Sequence, residues 1–327
     1  MIRVDCAEGA RRDRAEKRRP TPLLRRLGSA LATFYTRAER VDRRCYAIAV
    51  VLFSSGLFHL AVQAVVGGPW EGPVSWRKPT TFGLAFGLTL ATLTWVTTFV
   101  PLRGRTRGRL LAVFATACAV EVGVITLQAW RGVPSHFNVS TPLNAALAYT
   151  AAGGGAIIIA TALAFTAAAT RPDPAVPISM RLAVLAGFVS FLAALAIGAF
   201  MIALGVNATR TISQAAAYTV ATAFKSGHAA TMHGILILPA LAWLGSFADW
   251  SEIRRVCVIL LACVGYFLAA GVVVVDTFVA VSPLAPLEAP LITSLLAGAG
   301  LLSLLTASGM TLVALRRAPA VPGLEHP

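Results

Sequence analysis

An all-α integral membrane protein, a bundle of about eight transmembrane helices with both termini inside, is predicted by composition, by apolar run length and by the placement of basic residues. Of 327 residues, 57% are hydrophobic and 13% charged, and the mean hydropathy is +0.74. A chain so apolar needs lipid as its solvent. About 20 consecutive apolar residues cross a hydrocarbon layer roughly 30 Å thick, and runs of that kind recur along the sequence.

The first runs from Cys45 to Val66, the second from Thr80 to Val100, the third from Arg109 to Trp130 and the fourth from Pro142 to Ala169. The remaining four lie near Met180–Gly205, His228–Phe247, Val256–Val281 and Pro290–Leu315. Residues 1–44 form a basic cytoplasmic segment, 45–315 the membrane domain and 316–327 a cytoplasmic tail. Short cytoplasmic loops collect Lys and Arg. With an inside N-terminus, only Arg77, Lys78, Arg131, Arg210 and Lys225 of the 28 basic residues fall outside. An odd number of spans would put a strongly basic segment on the wrong face. The net charge of +14 is therefore read as topology, and nucleic acid is not implied.

Arg-rich, Ala-rich composition suggests a GC-rich bacterial genome and a multi-pass protein of the inner (plasma) membrane. Thirteen basic residues among the first 44 are too many for a cleaved signal peptide. Leu23, Leu27, Leu31 and Phe34 recur at helical spacing beside Arg25, Arg26 and Arg37, as in a short helix lying on anionic lipid headgroups, with a solvated tail as the alternative for residues 1–20. The cysteines Cys6, Cys45, Cys118, Cys257 and Cys263 show no paired metal spacing and predict no disulfide framework.

Ionisable groups within a bilayer cost about 2.5–3.5 kcal/mol each on insertion scales and need a partner or a purpose. Four stand out: His59, Glu121, His233 and Asp276. At about 1.5 Å rise per residue, the two histidines and Asp276 sit roughly 8–11 Å below the outer surface, with Glu121 slightly deeper. This predicts an intramembrane polar site in the outer leaflet half. Interhelical glue is the alternative reading.

Directly above lies a polar loop, Gln128-Ala-Trp130-Arg131-Gly132-Val-Pro134-Ser135-His136-Phe137-Asn138, closed by Ser140-Thr141-Pro142 as cap and first turn of the fourth helix. Arg131 can fork onto a carboxylate or phosphate, and Ser135, His136 and Asn138 offer donors or a metal ligand. The sixth span opens Gly227-His228-Ala-Ala-Thr-Met232-His233-Gly234, with Pro239 as a potential kink. Histidines five apart differ by about 140° around a helix. His228 is thus expected at the loop and His233 in the buried layer with His59. Arg77 and Lys78 put two cations at a helix N-terminus, where the dipole disfavours them, so a lipid phosphate, Glu71 or an anionic substrate is expected nearby.

At these motifs the sequence resembles an uncharacterised bacterial family of polytopic membrane proteins carrying Arg-Gly-x-x-Ser-His-aromatic-Asn after one span and His-x4-His-Gly…Pro at the start of another. Here those residues are Arg131, Gly132, Ser135, His136, Phe137, Asn138, His228, His233, Gly234 and Pro239. Similar proteins often carry a longer polar loop before the paired histidines, where Phe224-Lys225-Ser226-Gly227 stands here.

Three functions fit. A transition-metal or haem protein would use His59 and His233, with Glu121 or Asp276 nearby. A proton- or ion-coupled transporter would use the same groups as relays, although no inverted repeat or broken helix is legible. An intramembrane metal hydrolase is third, with the five-residue histidine spacing against it. The sequence leaves open whether the protein is an enzyme.

Overall fold

A computed structural model describes residues 23–279 and 291–317. Residues 1–20 and Cys6 lie outside that range, as do the end of the seventh predicted span and most of the C-terminal tail. The described chain is helical, without strands. Its helices are α1 (Leu23–Arg37), α2 (Arg40–Val66), α3 (Arg77–Val96), α4 (Gly104–Trp130), α5 (Pro142–Ala169), α6 (Ile178–Thr211), α7 (Gln214–Thr222), α8 (Lys225–Met232), α9 (Gly234–Ser246), α10 (Glu252–Phe278) and α11 (Leu291–Arg317). With α8 and α9 taken as one crossing, eight segments are long and apolar enough to span a membrane, as the sequence predicts.

Local chemistry explains where these helices begin. Thr141 accepts the Asn144 amide at 3.2 Å ahead of Pro142, and Ser213 and Ser251 accept the amides of Ala216 and Arg254, meeting orphan donors of the first turn. Glu39 and Asp42 form a reciprocal capping box at the start of α2. Gly67, at φ +73°, ends that helix in a conformation that favours glycine.

Close backbone approach holds neighbouring helices. A Cβ at Gly83 of α3 would fall 2.6 Å from the Gly56 nitrogen of α2, and one at Gly265 of α10 would fall 2.7 Å from the Gly300 oxygen of α11. Small residues of this kind give membrane helices their packing energy. Large apolar side chains such as Val50, Leu57, Leu302 and Leu305 remain exposed on the perimeter, the arrangement lipid requires.

The bundle has two polar ends. One gathers the 67–76, 131–141 and 212–224 connections and is called the His136 end. At the other, the Arg107 end, Phe34 of α1 packs against Trp95, Phe99 and Trp243 with ring centroids 6.3–6.5 Å apart. The short amphipathic helix is therefore docked on the bundle through Phe34.

Two spans depart from the sequence reading. α6 continues to Thr211 rather than Gly205; its 34 residues measure about 51 Å at 1.5 Å each, more than a bilayer core. The sixth span, one crossing of 22 residues, carries a one-residue interruption that the sequence reading did not place. The break falls at His233, six residues before Pro239: α8 ends at Met232, and α9 starts with the Leu236 and Ile237 amides both donating to the His233 carbonyl, at 3.1 and 3.0 Å. Packing against α6 and α10 sets it. A Cβ on Gly234 would meet Ser190 at 2.6 Å and Tyr266 at 2.9 Å. The Ser190 hydroxyl donates to the Thr231 carbonyl at 2.5 Å, and the Tyr266 hydroxyl donates to that of Ala230. Carbonyls of the disrupted turn thus find donors on neighbouring helices, as hydrocarbon surroundings demand.

Candidate functional site at the His136 end of the bundle

His59, on α2, is 2% exposed. Its Nδ1 donates to the Ser55 carbonyl at 2.7 Å, and its Nε2 accepts the Trp130 indole N–H at 3.0 Å. Trp76 stacks on the imidazole at 6.1 Å and meets Trp130 at 4.9 Å. Both ring nitrogens are occupied. Trp76 and Trp130 form the wall around a buried histidine.

The loop after α4 is held by amides. Gln128, fully buried, donates to Asn144 Oδ1 at 3.2 Å, while Arg131 reaches Gln128 Oε1 at 2.5 Å and Asn144 Oδ1 at 2.9 Å. Asn138 accepts the Ser140 amide and hydroxyl, at 3.2 and 2.7 Å, and donates to the Pro134 carbonyl. Phe137 stands at φ +59°, a left-handed conformation costly for a bulky residue. The strain is offset by contacts: its ring occupies the space a Cβ on Gly205 would need, its carbonyl accepts Gln214 at 3.3 Å, and Tyr218 packs on it at 5.6 Å. Tyr218 also donates its hydroxyl to the His136 carbonyl. α7, which the sequence reading left as a link, thus clamps the predicted loop.

The cations divide between partners. Glu71 Oε2 takes Arg77 at 3.2 Å and Lys225 at 2.9 Å. Burial opposes the charge on Glu71, but the Lys225 hydrogen bond and the Arg77 and Lys225 charges hold its carboxyl below the ordinary range. Glu71, one of the three expected counter-charges, is in place for Arg77. Lys78 instead donates to the Pro73 carbonyl at 3.0 Å and lies 4.4 Å above the Tyr218 ring. Burial, reinforced by the Lys78 charge, pushes the His136 imidazole down to about 4, so His136 is neutral at pH 7. Its Nδ1 lies 2.9 Å from Ser135 Oγ. Burial raises the Tyr218 phenol.

The four groups of the predicted buried layer have separate neighbours. Glu121 is buried against the glycines of α5: a Cβ on Gly154 would stand 3.3 Å from its Oε1. Its Oε2 has no hydrogen-bond partner among the described residues, and the same holds for Oδ1 of buried Asp276. His233, expected to face inward with His59, is exposed, with Nδ1 donating to the Ala229 carbonyl at 2.6 Å. The reason is the break: Thr231 and Gly234 occupy the inward side, and the residue between them turns away. His228 donates to the Ala194 carbonyl of α6 at 2.7 Å, with its ring over Gly198, rather than serving the loop as expected. No three His, Cys, Asp or Glu side chains among the described residues are placed to hold a metal ion.

Sequence reasoning missed the Asp42–Arg107 pair at the opposite end, where Arg107 lies 2.9 Å from Oδ1 and donates to Oδ2 at 3.3 Å. Both residues look like ordinary members of a basic loop and a helix start. It also missed Tyr218, whose only sequence signal is an aromatic within an Ala-rich link.

No family model, curated protein or solved structure matches the chain. Fold and composition define its class as an all-α, multi-pass membrane protein.

Proposed function

We propose that this protein is a proton- or ion-coupled carrier of the bacterial plasma membrane, with both termini in the cytoplasm and the His136 end outside, seen in a closed arrangement. The observation that carries the reading is the interrupted sixth span. A break at membrane depth is tolerated only where protein or a cavity surrounds it, and broken helices at carrier midplanes present backbone groups to a passing solute. Here the break is braced by two hydroxyls, from Ser190 and Tyr266, which can be exchanged for a ligand. Glu121 and Asp276, each buried with an unpartnered oxygen, are the carboxyls able to take up and release the coupling proton or cation. The 23-to-5 division of basic residues supports the orientation, and anionic headgroups remain the proposed partners of the cytoplasmic face. The family resemblance is consistent with this reading and names no substrate.

The metal or haem reading draws less from this geometry. His59 spends both ring nitrogens on Ser55 and Trp130, and His233 points away, so a shared ligand would require both to change partners. The hydrolase reading gains no cluster of ligands either.

Reconstituted vesicles loaded with a pH-sensitive dye test the proposal. A panel of small carboxylates, amines, phosphate and halides is added outside under an imposed proton gradient. At least one member should dissipate the gradient in the wild type, with Glu121→Gln or Asp276→Asn losing the response while Arg316→Gln retains it. Wild-type vesicles inert to the whole panel would overturn the carrier reading, and stoichiometric metal or haem in the purified protein would replace it with the first alternative.

A further inference from the structure

Ser75 is 7% exposed, and its Oγ has no hydrogen-bond partner among the described residues. An unmet buried hydroxyl is costly. Ser75 lines a cavity of about 10 Å³ together with Lys78, Ser135 and the apolar side chains of Ile125, Ala129 and Val133. That volume holds one water-sized sphere.

The surrounding charge is unbalanced. Arg77 and Lys225 share the single carboxylate of Glu71, and Lys78 has no carboxylate within ion-pair distance among the described residues. Its ammonium donates to the Pro73 carbonyl and lies over the Tyr218 ring, and neither contact neutralises its charge. The cavity also sits at the N-terminal turn of α3, where the helix dipole favours negative charge. Net positive charge dominates this site. A water molecule wants acceptors as well as donors; a monatomic anion wants donors alone.

We propose that the Ser75–Lys78–Ser135 cavity is a binding site for a single halide ion, chloride in the cell. Its small volume favours a monatomic ion over phosphate, sulfate and carboxylates, and Ile125, Ala129 and Val133 line its apolar side. Lys78 supplies the charge, and Ser75 donates the hydrogen bond its hydroxyl otherwise lacks. Ser135 contributes when His136 carries its proton on Nδ1: the imidazole then donates to Ser135 Oγ, freeing the Ser135 hydroxyl hydrogen for the ion. Binding therefore selects that tautomer. Occupancy is defined without reference to transport, so it stands or falls separately from the carrier reading.

The full chain, purified in detergent in sodium gluconate, is titrated with sodium chloride, bromide or sulfate at constant ionic strength, following calorimetric heat and thermal unfolding. Chloride and bromide should give saturable heat with one site per chain and a concentration-dependent rise in Tm, while sulfate gives neither. Ser75→Ala should weaken chloride binding about tenfold or more, as expected for loss of a hydrogen bond to a charge, and Lys78→Gln should abolish it. Ser75→Ala removes a hydroxyl that makes no other bond, so it keeps the test decisive if Lys78→Gln does not fold. Equal Tm in chloride and gluconate without saturable heat, or unchanged affinity in Ser75→Ala, overturns the site and leaves the cavity to water.

Discussion

Replacing Arg107 with Met is the sharpest test of how the bundle is held at its other end. The guanidinium lies 2.9 Å from Asp42 Oδ1 as an ion pair, while its hydrogen bonds run to Asp42 Oδ2 at 3.3 Å, Thr97 Oγ1 at 3.2 Å and the Thr94 carbonyl at 2.8 Å. The side chains are 8% and 7% exposed, so solvent cannot take over when one is lost. Arg107→Met leaves a buried carboxylate whose other partner is the weak 3.3 Å bond from the Glu39 amide. Breaking one side of such a pair costs about 3–5 kcal/mol, whereas replacing both sides with neutral groups is often close to neutral. Arg107→Met and Asp42→Asn should each destabilise the protein, Arg107→Met by about that amount, and the double variant should recover much of the loss. Reversible unfolding in mixed micelles of detergent and SDS supplies the four free energies of a double-mutant cycle. Single variants within about 0.5 kcal/mol of wild type, or a double variant equal to the sum of the singles, would refute the buried-pair argument; surface pairs behave that way.

Two further predictions concern the His136 end. His136 is held near 4 against an ordinary 6.5, so between those values the unfolded chain binds more protons than the folded one. The stability from keeping His136 neutral is fully present above about pH 6.5 and is lost as pH falls through 4, on the order of 3 kcal/mol over the whole window. Tm should therefore fall more steeply from pH 7 to 4.5 in the wild type than in His136→Gln; parallel slopes would place the imidazole in water. For orientation, reporter fusions after Arg105, Arg171 and Arg254 should read as cytoplasmic and fusions after Arg131 and Lys225 as external, with the opposite pattern sinking the N-in/C-in proposal.

The sequence by itself determined the helical class, the eight apolar segments and the cap that starts the fourth of them. These properties are local: run length, hydropathy and a Thr141-Pro142 cap depend on residues within a turn or two of one another. The predicted loop was legible for the same reason, since Asn138, Ser140 and Asn144 bond within six residues.

Tertiary structure decided everything that depends on direction around a helix or on partners distant in sequence. The pairs Asp42–Arg107, His59–Trp130 and Glu71–Lys225 are separated by 65, 71 and 154 residues, and no periodicity encodes them. Matched depth put His59 and His233 in one layer, but depth fixes only one coordinate. The angular position of His233 was set by the interruption at that residue, and the interruption by how closely Ser190 and Tyr266 approach Gly234. Hydrophobicity fixes which segments leave water; packing between them fixes which polar atoms meet inside.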